Sequence, residues 1–175
     1  MVTEPDRYPL PNMLDFADRL SGCSVFSKID LRKGYWQVPV HKDDIAKTAV
    51  ITQFGLYEFL RMPFGLRNAG SSFQRMMDQV ISGLPFAYCY LDDLRVASRS
   101  AEEHNLHLRA LFERLRKFGL VIHLEKCTFY QSEIEFLGHH VSALGARPLS
   151  TNVEAVQQFP PPKHHQRHAG VFRHG

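Results

Sequence analysis

Apolar residues along this chain recur with two periods, and together these predict its elements. From Asn68 to Ile81, Phe73, Met76, Met77 and Val80 return every three or four residues, which predicts a helix after the Pro63-Phe-Gly-Leu66 loop. Ser100-x-x-Glu103 forms a capping box that opens a second helix. Leu106, Leu108, Leu111, Phe112 and Leu115 lie on or near one face of it, and Gly119 closes it. Alternation predicts strands at Ser24–Ile29, ending at Asp30, and at Phe86–Leu91 and Leu94–Ser98. Thr48–Thr52 and Leu56–Leu60 flank Gln53-Phe-Gly55 and predict a hairpin. Leu120–Ile122, Cys127–Tyr130, Glu135–Leu137 and His139–Ser142 are short strand candidates.

The ends are punctuated by proline. Pro5, Pro9 and Pro11 keep the opening segment extended. Asn12 can cap a short helix with Met13, Phe16, Ala17 and Leu20 on its apolar face. Thr151-x-x-Glu154 caps a last helix that runs through Phe159, before Pro160-Pro-Pro162 stops it. Strands and helices mix without strict alternation. The fold class expected is therefore α+β, an antiparallel sheet with helices packed on one face.

Composition narrows the class only coarsely. With 175 residues, 44% hydrophobic and 22% charged, the chain suits one globular domain with a real core. No apolar run reaches membrane-span length, and the start has no signal-peptide pattern, so an intracellular protein is expected. Cys23, Cys89 and Cys127 lack metal-ligand spacing and fit buried thiols in a reducing compartment. The net charge of +3 permits a nucleic-acid partner without arguing for one.

The chemistry concentrates at Asp92 and Asp93, set inside Phe86-Ala-Tyr-Cys-Tyr-Leu-Asp-Asp-Leu-Arg-Val-Ala-Ser98. Two like charges about 4 Å apart repel by roughly 4 kcal/mol at an effective dielectric of 20. A chain that keeps such a pair between core strands often holds a cation with it. A plain hairpin turn is the competing reading, since Asp is a common turn residue. Asp30 ends another predicted strand. If that strand neighbours the acidic hairpin, three carboxylates converge at one sheet end and suit Mg²⁺. Periodicity does not say whether the strands are neighbours.

Five ordered blocks carry more information: Phe26-Ser-Lys-Ile-Asp-Leu-Arg-Lys-Gly-Tyr-Trp-Gln37, Arg61-Met-Pro-Phe-Gly-Leu-Arg-Asn-Ala69, Phe73-Gln74, Tyr90-Leu-Asp-Asp93 and Glu135-Phe-Leu-Gly138. From about Pro5 to Lys163 the chain resembles the reverse transcriptase of gypsy-type LTR retrotransposons. The resemblance implies a polymerase palm with a partial fingers subdomain over residues 1–147, the start of a connection segment over 148–163, and an atypical tail over 164–175. It implies nucleotidyl transfer to a primer 3′-hydroxyl, with Mg²⁺, or alternatively Mn²⁺, held by Asp30, Asp92 and Asp93. Tyr35 matches the aromatic that screens the incoming sugar. Leu31, Phe64 and Gly65 match positions bordering the nucleotide, and Leu91 matches the variable residue of the metal-binding turn, at the nucleotide site beside the primer end. Lys126 matches a lysine near the departing pyrophosphate, and Phe136, Leu137, Gly138 and His139 match the primer grip. The implied partners are a primed RNA or DNA template and deoxynucleoside triphosphates, with no membrane.

Blander readings stand beside several of these. Tyr35 also suits core packing, Lys126 a solvated surface, and Phe136–His139 an ordinary hydrophobic hairpin. Trp36 suits either packing or contact near the template. Arg109, Arg114, Arg116 and Lys117 read as a solvated helix face. His104 and His107 have no evident partner to complete a metal site.

Three departures from the family pattern point to the alternative of a non-catalytic remnant that at most binds nucleic acid. The basic residue that clamps the triphosphate belongs to a fingers segment upstream of Pro5-Asp-Arg-Tyr-Pro9, and Arg7 does not replace it; a partner chain is one source of the missing fingers or RNase H. Arg95 stands where the family carries an apolar or aromatic residue. An arginine there must reach water, pair with an acid or strain the sheet, and pairing with Asp93 would compete with a metal. Finally, possible codons for the tail from His164, read one nucleotide later, can encode a segment that fits the family better, which suggests a frameshift after about Lys163; the competing reading is a histidine-rich metal-binding tail.

Overall fold

The computed structural model describes residues 3–12, 16 and 19–151. The expected last helix and the tail from His164 lie outside the described residues, as do Met13 and Ala17. The centre is an antiparallel four-stranded sheet in the order β4-β5-β1-β6. Its strands are β1 (Val25–Ile29), β4 (Ala87–Tyr90), β5 (Asp93–Ser98) and β6 (Thr128–Gln131). A short hairpin of β2 (Val50–Thr52) and β3 (Gly55–Tyr57) stands apart, exposed along both strands. A three-stranded sheet is built from β7 (Glu133–Phe136), β8 (His139–Ser142) and β9 (Gly145–Pro148).

Two helices cover one face of the central sheet, α1 (Ala69–Ile81) and α2 (Ala101–Lys117). Phe73, Met77 and Val80 of α1 and Leu108, Leu111 and Leu115 of α2 join Ile29, Cys89, Leu94 and Val96 in one core. Each fully buried side chain of this size contributes about 1.5–3 kcal/mol. The period-2 alternation of the strands divides the two faces. Phe26, Tyr88 and Ala97 point the other way, into a second core with Phe16, Leu20, Ile134, Phe136 and Val141. The sheet is thus covered on both faces, by helices on one and by β7–β8 with the N-terminal segment on the other.

The expected elements are present with shifts at their ends. Leu106 is exposed, a correction to the apolar face of α2, which is built from Leu108, Leu111 and Leu115. The capping box is half as expected: Ser100 Oγ accepts from the Glu103 N–H at 3.2 Å, while Glu103 accepts from the Arg99 N–H at 2.6 Å. At the other end the Leu120 N–H donates to the Leu115 carbonyl and Gly119 N–H to Arg116, closing the helix with Gly119 at φ +69°. Leu120–Ile122 forms no strand. It makes one bridge, Leu31 to Ile122, closed by Arg32 N–H to the Val121 carbonyl and His123 N–H to the Asp30 carbonyl, while the Val121 N–H goes to the Gln37 side chain instead of to a strand. The strand expected at Glu135–Leu137 begins two residues earlier, and β9 had no alternating apolar pattern to announce it. Cys23 and Cys89 are buried, and Cys127 is half-buried. Among the described residues, no helix is long and apolar enough to cross a membrane.

Candidate active site

The strand register brings the acidic residues to one edge. β1 and β5 are antiparallel with Ile29 opposite Leu94, so Asp30 follows Ile29 where Asp93 precedes Leu94. β4 and β5 pair down to Tyr90–Asp93, leaving Leu91 and Asp92 as a two-residue turn. Asp30 is fixed through its backbone: its carbonyl accepts from the His123 N–H at 2.8 Å, and its N–H donates to Cys127 Sγ at 3.3 Å. The turn carrying Lys126 closes on the same segment, and Lys126 itself is exposed.

Burial pushes the Asp92 carboxyl above its ordinary pKa, and the negative charges of Asp30 and Asp93 push it further. Three oxygen donors of one sign match a hard divalent cation in chemistry, and such an ion would relieve that repulsion. The side chains are not closed around one point: among the described residues no three His, Cys, Asp or Glu side chains are gathered closely enough to hold a metal ion. One of the three carboxylates, Asp93, is paired with Arg95. Its guanidinium lies 3.1 Å from Asp93 Oδ1, with the arginine side chain only 6% exposed. Of the three fates open to Arg95 in the sequence, the fold selects pairing with an acid.

An aromatic floor adjoins the carboxylates. Tyr35 meets the Phe73 and Phe64 rings edge-on, at 5.0 and 5.5 Å between centroids. Burial and the Asp92 charge raise the Tyr35 pKa. Tyr35 is therefore both packed and beside the acids. A Cβ on Gly70 would stand 3.6 Å from Leu91 Cδ2 and 3.9 Å from Tyr35 Oη, so Leu91 and Tyr35 converge on the first turn of α1. Phe64 is exposed, Gly65 turns the chain at φ +89°, and Leu31 is buried under the site. Trp36 tilts against Phe59 at 5.7 Å.

Phe136, Leu137, Gly138 and His139 form the β7–β8 hairpin. Phe136 is buried, and Leu137 and Gly138 make its two-residue turn at φ +49° and +74°. His139 Nδ1 lies 3.0 Å from the Leu137 carbonyl. The hairpin faces Arg95, whose guanidinium sits 5.5 Å from the Phe136 ring centre. Phe136 packs in the second core, and through Arg95 the hairpin adjoins the acidic edge.

Gln74 is a residue whose role the sequence did not reveal. Fully buried, it accepts from the Leu91 N–H at 2.7 Å and donates to the Cys89 carbonyl at 3.1 Å and Asp78 Oδ1 at 2.9 Å. Tyr8 donates to the other Asp78 oxygen at 2.6 Å, so the extended N-terminal segment is linked through Asp78 and Gln74 to the acidic turn. The available signal was an amide on the apolar face of a helix. Two other groups take structural roles. Arg114 donates to the Val80 and Ser82 carbonyls. His104, fully buried, lies 2.7 Å from both Ser27 Oγ and Ser98 Oγ.

A family model described as reverse transcriptase (RNA-dependent DNA polymerase) matches residues 1–141. The retrovirus-related Pol polyprotein from transposon 297 of Drosophila melanogaster is 42% identical over 163 residues, covering 92% of this chain and 15% of that protein. The corresponding polyprotein from transposon opus of the same organism is 39% identical over 163 residues, covering 92% and 16%. The chain thus spans about a sixth of the length of these curated relatives. A foamy viral protease-reverse transcriptase solved with double-stranded DNA superposes with a TM-score of 0.78 at 24% identity, over 91% of this chain and 28% of that one. The same viral protein with an RNA/DNA hybrid gives 0.74 at 24% identity, over 91% and 22%. At this identity the likeness shows the fold.

Proposed function

Because the chain belongs to the reverse transcriptase (RNA-dependent DNA polymerase) family of LTR retrotransposons, we propose that it supplies the palm of an RNA-directed DNA polymerase. Residues 1–147 would form the palm with part of the fingers, and 148–163 the start of a connection. The observation that carries this reading is the register placing Asp30 beside the Asp92–Asp93 turn. Its substrates would be deoxynucleoside triphosphates and a primed RNA or DNA template, the kinds of duplex held in the foamy viral complexes.

Asp30, Asp92 and Asp93 would hold Mg²⁺, or Mn²⁺, which supplies positive charge and Lewis acidity for phosphoryl transfer. The chain's own residues do the rest. Tyr35 borders the sugar of the incoming nucleotide, over Leu31 and beside Phe64 and Gly65, and Leu91 stands at the nucleotide site beside the primer end. Lys126, exposed on the turn that closes on Asp30, neutralises charge on the departing pyrophosphate. The Phe136–His139 hairpin holds the primer strand. The Arg95–Asp93 pair favours a second reading, in which the acidic edge survives in a remnant that binds nucleic acid without extending it.

Primer extension with Mg²⁺, beside Asp92→Asn, tests the assignment. Extension by the unmodified chain and none by the variant is expected. Equal extension by both would remove the site from these carboxylates, and extension by neither folded protein would leave the remnant.

A further inference from the structure

We propose that Arg95 is a positioning residue that holds Asp93 away from the divalent cation, so that this chain binds the cation through Asp30 and Asp92 and does so weakly. The inference rests on the assignment of Asp30, Asp92 and Asp93 as the cation carboxylates.

The strand geometry sets up the contact. Side chains two apart on a strand share a face, so Asp93 and Arg95 stand together on the side of β5 away from the helices. That side is covered by β7, which leaves the Arg95 side chain only 6% exposed. Its guanidinium donates to the Leu94 and Glu135 carbonyls, both at 3.3 Å, and rests against Phe136. Its Nε is buried with no hydrogen-bond partner. The remaining strong partner is Asp93, at 3.1 Å, and no other ion pair of Arg95 is present among the described residues. A buried cation that gave up its carboxylate would be left uncompensated. Asp93 is therefore committed to Arg95 more firmly than a surface acid is to a mobile lysine.

The cost falls on the cation. A ligand already paired to a guanidinium offers less negative charge, and the guanidinium repels a second positive ion placed beside it. The two residues line a cleft of about 450 Å³ between the central sheet and β7, together with Lys28, Glu133 and Glu135. Lys28 lies opposite Arg95 across the β1–β5 pair and adds positive charge, while Glu133 lies 3.1 Å from His140 Nε2 and Glu135 meets Arg95 through its backbone carbonyl, so neither acid takes the place of Asp93.

Titration of the full chain with Mn²⁺, followed by electron paramagnetic resonance, reads this without catalysis. Arg95→Met and Arg95→Leu both remove the guanidinium while keeping bulk, so if one fails to fold by circular dichroism the other decides. Either folded variant is expected to bind Mn²⁺ about tenfold more tightly than the unmodified chain, as for one charge-assisted contact regained. Asp92→Asn should abolish that binding in both backgrounds. Unchanged affinity in the Arg95 variants, with Asp92→Asn still abolishing binding, would overturn the role of Arg95 and leave the carboxylate assignment intact. Binding indifferent to Asp92→Asn in every background would overturn both.

Discussion

Gln74→Leu would test whether one amide on α1 sets the shape of the acidic turn. The substitution keeps volume in a fully buried position but removes three hydrogen bonds. The Leu91 N–H and Cys89 carbonyl lose their Gln74 partner, and Asp78 keeps Tyr8 on its other oxygen. An unsatisfied buried polar group costs about 1–3 kcal/mol. Leu91 is half-buried, so water recovers part of its share, and added apolar burial offsets roughly 1 kcal/mol. Leu91 also sits at φ +51°, a left-handed conformation that costs a non-glycine residue about 1–2 kcal/mol and that the Gln74 bond restrains. The expected net loss is about 2–3 kcal/mol in urea unfolding followed by circular dichroism. Gln74→Glu should lose at least as much at neutral pH, because it sets a carboxylate against Asp78 and the Cys89 carbonyl. A loss below about 0.5 kcal/mol for Gln74→Leu would mean the turn stands without the amide, and the reasoning fails.

Two further perturbations probe the surroundings. A Cβ at Gly34 would lie 3.1 Å from Phe73 Cζ and 3.3 Å from Asp92 Oδ1, and Phe73 is fully buried and cannot yield freely; Gly34→Ala should cost about 1–2 kcal/mol and lower the melting temperature by roughly 3–6 °C, and an unchanged melting curve would count against this packing. Burial, and then His107, hold the His104 pKa below its ordinary 6.5. The unfolded chain therefore takes up a proton that the folded one refuses, so stability is full above that value and falls as pH drops through it, by up to about 1.4 kcal/mol per pH unit. The urea midpoint should fall more between about pH 7.5 and 5.5 for the unmodified chain than for His104→Gln; equal falls would exclude His104 as the source.

Much of this architecture could be read from residue spacing. Phe73, Met77 and Val80, and Leu108, Leu111 and Leu115, fell on buried faces because a helix repeats every 3.6 residues whatever its partner. Leu106 did not, because at 3.6 residues per turn it falls on the opposite side of the helix from Leu108, Leu111 and Leu115. The order of the blocks around Asp30, Asp92 and Asp93 was likewise enough to name the family, since each block answers to a local demand.

Sequence alone thus determined which carboxylates are candidates and which segments carry them. It could not determine that β1 lies against β5, because a period of two specifies a strand but not its neighbour. It left Arg95 with three outcomes, and the choice came from β7, which covers that face and leaves Asp93 as the carboxylate within reach. Gln74 was only half of the Phe73-Gln74 block, with no role of its own, until packing set the Leu91 N–H in front of it. Tertiary structure decided these points because burial removes water as a partner, and a polar group without water must take what the neighbouring element offers.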